Sequence, residues 1–141
     1  MQVQIITPDQ TVFEGESDSV TLPTGDGEIT VLANHIPVVA ILVPGTMVVR
    51  SQGQERLFAV SRGMAEVDGA SIRILAETAD RAEELQEEAI EKAKAEAERL
   101  LTERRHDVEG FAEATAMLDR ELARLRSVRR HRSRTITRPM Q

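Results

Sequence analysis

A serine nucleophile needs a histidine base, and the three histidines of this sequence, His35, His106 and His131, stand in no motif that supplies one. Their ordinary reading is structural or solvated. The spacings His-x-Glu and His-Glu-x-x-His, which bring zinc ligands together, are absent. There is no cysteine, so disulfides and thiolate metal sites are excluded. The phosphate loop Gly-x-x-x-x-Gly-Lys is missing. Gly25-Asp26-Gly27 is only a fragment of a glycine-rich loop, and the carboxylate at its centre would repel phosphate; it reads as a tight turn. Glu83-Glu84 and Glu87-Glu88 fall in a helical stretch and read as a solvated face, not a glycosidase dyad.

The remaining concentration of chemistry is cationic. Arg120, Arg124, Arg126, Arg129, Arg130, Arg132, Arg134 and Arg138 crowd the C-terminal part of the sequence, and Arg120 and Arg124 stand one helical turn apart on a shared face. One reading is a solubilising helix end that complements the helix dipole. A second is docking onto an acidic protein surface. Nucleic acid or anionic lipid is a third, and nucleic acid is disfavoured by the absence of aromatic stacking residues and by the acidity of the rest of the chain.

The elements that carry these residues divide near residue 80, where the hydrophobic period changes. Before it the period is two: Val3 and Ile5, Val20 and Leu22, Ile29 and Val31, Ile72 and Ile74 each flank polar residues. Strand-like runs recur at 2–6, 11–14, 18–22, 28–32, 38–42, 46–50, 55–60, 64–67 and 70–76. Turn residues separate them, Asp68-Gly69 being a strong hairpin signal. Many short strands with frequent turns predict an antiparallel β-sandwich over residues 1–80.

After residue 80 only Gly110 and Pro139 interrupt helical sequence. Asp80 with Glu83 reads as a capping box, opening a helix to about Arg104 whose seam is Ala82, Leu85, Ala89, Ala93, Ala97 and Leu100. A break at Arg105-His106-Asp107, with Asp107 as N-cap, precedes a second helix to about Arg130. Its apolar residues are Phe111, Thr115, Leu118, Leu122 and Leu125, at heptad-like spacing. Each helix has roughly 24 residues and is roughly 36 Å long at ~1.5 Å per residue. An α-helical hairpin over 81–131 follows, with an alanine seam that docks weakly and reversibly. Residues 132–141 form a basic tail expected to be disordered.

With 141 residues and 40% hydrophobic content the chain can build a core, and with three Phe and no Trp or Tyr that core is aliphatic. Its longest apolar run, Val38 to Val43, is too short to span a bilayer. The start Met1-Gln2-Val3-Gln4-Ile5 lacks the pattern of a signal peptide. Net charge is −6, split as −7 over residues 1–80, −2 over 81–105 and +3 over 106–141. An acidic head and a basic tail predict two surfaces for different partners.

The segment from Leu22-Pro23 through Gly25-Asp26-Gly27-Glu28 to Leu32-Ala33-Asn34-His35-Ile36-Pro37 resembles the pattern of ATP synthase epsilon subunits. The start Ile6-Thr7-Pro8-Asp9 with Val12-Phe13-Glu14-Gly15, then Pro44-Gly45, Phe58-Ala59-Val60-Ser61 with Gly63 and Glu66-Val67, and Ile74-Leu75-Ala76, are similar to that family in order and spacing. So is the stretch from Asp107-Val108 to Arg124-Leu125-Arg126. Thr30, Ala33 and Arg62 depart from the pattern at turns.

The resemblance implies a non-catalytic central-stalk subunit of a proton-translocating ATP synthase, peripheral on the cytoplasmic face of the membrane and reaching it only through the complex. Its implied partners are the gamma subunit, the c-ring and, transiently through the C-terminal helices, the beta subunit. Glu28 and His35 are the c-ring contact candidates, Glu28 being equally readable as a solvated turn residue. Arg120, Arg124 and Arg126 are the candidates for inhibitory docking on beta. Some family members bind ATP through Ile/Leu-Asp-x-x-Arg-Ala. Gln86 and Ala89 stand where that acid and arginine would be, so ATP sensing is not expected. The alternative reading is a β-sandwich adaptor whose basic hairpin grips another acidic partner.

Overall fold

A computed structural model describes the backbone of residues 1–137 and the side chains of residues 1–133. Ten strands come first: β1 (Gln2–Ile6), β2 (Thr11–Glu16), β3 (Ser19–Thr24), β4 (Gly27–Leu32), β5 (Val38–Leu42), β6 (Gly45–Ser51), β7 (Gln54–Val60), β8 (Gly63–Val67), β9 (Ser71–Ala76) and β10 (Ala79–Arg81). A 3-10 turn (Ala82–Glu84) leads to α1 (Glu87–Glu103) and α2 (Val108–Thr137).

The strands follow the order β10-β7-β6-β3-β5-β8-β9-β1-β2, with β4 also on β3. The path bends between β3 and β5, which share a single residue pair, Thr24 with Leu42. The two halves then face each other over one apolar core. Val3, Ile5, Leu22, Val31, Met47, Phe58, Ile72 and Ile74 all belong to it. The two ends of the path approach each other as well: the rings of Phe13 on β2 and Phe58 on β7, next to the β10 edge, pack edge to face at 5.6 Å. The period-two residues are the ones turned inward, as in β1, where Val3 and Ile5 are fully buried. The head is therefore the expected β-sandwich. One pairing departs from an all-antiparallel plan: β1 runs parallel to β9, Val3 opposite Ile72. The two strands are far apart in sequence, so no hairpin forces them antiparallel.

The turns hold as expected. Gly25-Asp26 joins β3 to β4 with Thr24 opposite Gly27, and Thr24 Oγ1 donates to the Gly27 carbonyl at 2.6 Å. Gly27 has φ +111°, a conformation that favours glycine. At the β8–β9 turn, Asp68 accepts from the Ser71 and Ala70 backbone N–H groups and from the Ser71 hydroxyl. These bonds hold the Asp68 carboxyl below the usual carboxylate range, the Ser71 backbone N–H contributing most.

The start of the helical region differs from the sequence expectation. Asp80 caps no helix: it lies in β10, where Ala79, Asp80 and Arg81 pair with Val60, Ala59 and Phe58. The backbone groups a helix would have used are taken by the β7 edge. The head therefore runs to Arg81, and α1 begins only at Glu87, with Gln86 at its N-cap. The α1 seam is shifted too: Ile90 and Ala97 are buried, whereas Ala89 is exposed.

Helix α2 lies across the outer face of β6 and β7, opposite the core. On that face Val48, Leu57 and Ala82 form a second small cluster, and Thr46 Oγ1 meets Ser127 Oγ at 2.7 Å. Helix α1 packs on α2 from outside. Helix α2 starts after Asp107 as expected but runs for 30 residues, past Arg130. The first part of the expected disordered tail, 132–137, continues this helix. Proline comes only at 139, and Arg132 reaches back to Glu87 at 2.6 Å. Residues 138–141 lie outside the described residues.

Candidate docking sites

Glu28 sits on β4 beside the β3–β4 turn, with its carboxylate half exposed. It accepts from Arg130 Nη1 at 3.0 Å. The c-ring candidate of the head thus touches the hairpin, 102 residues along the chain. His35 follows Asn34, whose φ of +66° is a left-handed conformation that Asn tolerates. The Asn34 N–H donates to the Gly69 carbonyl at 2.9 Å, and the His35 N–H to Leu32 at 3.2 Å. His35 Nδ1 lies 2.8 Å from the Ile36 carbonyl; because a carbonyl only accepts, Nδ1 carries the proton. The ring is thus tied to its own loop. Around it Leu32 and Ile36 are exposed.

The three arginines chosen for inhibitory docking have different surroundings. Arg124 is largely covered. Its Nε donates to Asp80 and its Nη1 to Glu121, both at 2.8 Å. Arg120 Nε donates to Glu121 at 3.3 Å. Glu121 is only 2% exposed, so its charge is matched by the two arginines that flank it on its own helix. Arg126 is exposed, and no ion pair forms on it among the described residues. Structure therefore joins Arg120 with Arg124, separates Arg126 from them, and places Glu28 and His35 elsewhere on the head.

Further ion pairs run between the helices. Glu87 on α1 accepts from Arg129 at 3.1 Å and Arg132 at 2.6 Å, and Glu91 accepts from Arg129 at 3.1 Å. The Arg129 hydrogen bond is the main cause that holds the Glu87 carboxyl below its ordinary range. Among the described residues the arginine run is thus largely spent within the chain in this arrangement. Sequence alone does not single out Glu121; it marks Asp80 only as a helix cap and Arg130 only as one of the arginine run, with no partner for either. For Glu121 a signal existed: it takes a core position in the series Ala114, Leu118, Glu121, Leu125, where a lone acid implies a buried partner. For Asp80 and Arg130 none existed, because their partners are remote in sequence.

The opposite side of the sandwich carries an apolar row. Ile41, Met64, Leu75 and Ile6 stand in register across β5, β8, β9 and β1. They line an open groove edged by Arg62 and Glu77. Ile41 is 66% exposed there. A row of aliphatic side chains on an outer sheet face, with charges at its rim, suits a protein surface better than water.

Among the described residues no cluster of His, Asp and Glu could hold a metal ion. Nor is any helix among the described residues long and apolar enough to cross a membrane. Gln86 and Ala89 are both exposed at the start of α1.

A family model for the ATP synthase delta/epsilon chain, β-sandwich domain, matches residues 1–82. That match ends just beyond β10. The ATP synthase epsilon chain of Dichelobacter nodosus is 38% identical over 137 residues, covering 93% of this chain and 96% of its own. The ATP synthase epsilon chain 1 of Methylococcus capsulatus is 39% identical over 133 residues and 94% of each chain. Among solved structures, a chain of the Euglena gracilis mitochondrial ATP synthase OSCP/F1/c-ring assembly superposes with a TM-score of 0.70 at 26% identity, over 83% of this chain and 74% of that one. A chain of the Tetrahymena thermophila central stalk and c-ring shares the fold, with a TM-score of 0.51 at 20% identity over 60% of this chain and 68% of that one.

Proposed function

The chain belongs to the ATP synthase delta/epsilon family, and from that premise we propose that it is a non-catalytic rotor subunit that couples the catalytic head to the c-ring and brakes ATP hydrolysis. The observation that carries the reading is similarity to epsilon chains along nearly the whole length, hairpin included. The Euglena gracilis chain was solved within an assembly of OSCP, F1 and c-ring, which supports a place in the stalk.

The groove lined by Ile6, Ile41, Met64 and Leu75 is the face offered to the gamma subunit. Burying that row on a partner removes apolar surface from water, while Arg62 and Glu77 set orientation at the rim. The loop from Glu28 to His35, with exposed Leu32 and Ile36, is the face offered to the polar loops of the c-ring. The complex holds the subunit on the cytoplasmic face of the membrane.

The hairpin is the brake. In the described arrangement it lies on the head, its seam small and, among the described residues, the arginines of α2 other than Arg126 paired within the chain. Little apolar surface is lost when it lifts, so a second position reaching acidic side chains of the beta subunit is energetically accessible. Arg120, Arg124 and Arg126 make that contact.

Size-exclusion chromatography with light scattering on the chain mixed with purified gamma subunit tests the rotor assignment. A one-to-one complex supports it; two separate peaks from folded proteins favour an adaptor with another partner. Removing residues 106–141 tests the brake, and hydrolysis by the assembled enzyme is expected to rise.

A further inference from the structure

Arg124 is held by two carboxylates that differ in one respect. Glu121 lies three residues earlier on α2 and moves with the arginine. Asp80 belongs to β10, fixed to β7 through the Ala59 pairing, and stays with the head. The contact to Asp80 spans 44 residues and is made by Nε at 2.8 Å, with both side chains less than a third exposed. When the hairpin leaves the head, the Glu121 bond can persist and the Asp80 bond cannot.

We propose that Asp80 is a retaining residue of the hairpin: it competes with the acidic surface of the beta subunit for the Arg124 guanidinium, and so sets how often the brake engages. This rests on the braking role proposed above. One guanidinium edge cannot serve Asp80 and a distant carboxylate at once. A charge-assisted contact of this kind shifts a two-state equilibrium without any change in the catalytic subunits. Glu121, on the same helix as Arg124, holds its guanidinium through Nη1 at 2.8 Å and travels with it, so the arginine reaches its second partner already oriented. Asp80 is suited to the task because its backbone, not its side chain, makes the β10 ladder; the carboxylate can change without removing the strand.

The chain has no cysteine, so spin labels can be placed on Gln54→Cys in the head and Ala112→Cys in the hairpin, both exposed positions. Pulsed dipolar spectroscopy on the full chain then reads docked and released populations. Asp80→Ala is expected to raise the released-to-docked ratio roughly 3–10-fold, and Asp80→Glu, which keeps a carboxylate, to stay nearer the parent. In the assembled enzyme Asp80→Ala should lower ATP hydrolysis. An unchanged distance distribution for Asp80→Ala overturns the retaining role even if truncation of 106–141 relieves inhibition. A shifted distribution with hydrolysis untouched by both changes upholds retention by Asp80 and overturns the braking reading instead.

Discussion

The hydroxyls of Thr46 and Ser127 meet at 2.7 Å inside the interface between head and hairpin, and Ser127 is fully buried. Ser127 Oγ also lies 2.8 Å from the Ala123 carbonyl, which can only accept. Its proton therefore goes to Ala123, and Thr46 donates to Ser127. This polar contact fixes where α2 rests on β6.

Breaking one side of the pair should cost more than removing both. Ser127→Ala strands the Thr46 hydroxyl away from water, at about 1–3 kcal/mol. Thr46→Val keeps the shape of the residue and leaves Ser127 bonded to Ala123. The double variant should be more stable than the sum of the two changes predicts, and denaturant unfolding of the four chains measures that coupling. Strict additivity would mean that the two hydroxyls do not bond.

Acid should loosen the hairpin through Glu87. Its folded-state pKa is depressed, chiefly by the Arg129 hydrogen bond. A depressed carboxyl stabilises fully above its unfolded pKa, and that stabilisation is lost as pH falls through the lower folded value. Thermal unfolding followed from about pH 6 to about pH 3 should show the loss below the ordinary glutamate range of about 4.3. Glu87→Gln should flatten that part of the curve. The Asp68 turn acts in the same direction in the head, so a Glu87→Gln chain retains a smaller acid dependence.

Gly63 is required by close packing. A Cβ there would sit 2.0 Å from the Leu75 carbonyl oxygen and 2.8 Å from Ala76 Cα, both backbone atoms of the paired strand β9. Gly63→Ala should force β8 and β9 apart and cost about 1–3 kcal/mol. Gly25→Ala is the control, since nothing lies within 4 Å of its added methyl. Chemical denaturation of the two variants compares them.

Glu28 and Arg126 should separate stability from function. The Glu28–Arg130 pair is exposed, so Glu28→Gln should change the stability of the isolated chain by less than about 1 kcal/mol. Arg126→Ala removes no ion pair among the described residues and should be within about 0.5 kcal/mol of the parent. In the assembled enzyme Glu28→Gln is expected to weaken coupling between ion flow and ATP synthesis, and Arg126→Ala to relieve inhibition. Rate measurements on inverted membrane vesicles check both.

Local pattern determined much of this protein. Alternation of Val, Ile and Leu with polar residues marked β1, β3, β4 and β9, and turn residues bounded the other five of the first nine strands. Strands β6 and β7, covered by the core on one face and the hairpin on the other, carry continuous buried runs instead. The Gly25-Asp26 and Asp68-Gly69 turns were legible because their backbone demands are met by neighbouring residues. The loop from Glu28 to His35 and the arginine-rich second helix were also readable, and with them the family. Tertiary structure alone decided the boundary between head and hairpin. Asp80 and Glu83 carry a valid capping signal, yet the open edge of β7 takes the backbone of 79–81 and turns the would-be cap into a strand. The parallel pairing of β1 with β9 was equally hidden, since strand neighbours remote in sequence leave no local trace. The same holds for the roles of the arginines. Whether Arg124 and Arg130 face solvent or hold Asp80 and Glu28 depends on where α2 lies on the sheet, and ion pairs across 44 and 102 residues have no spacing rule from which to infer them.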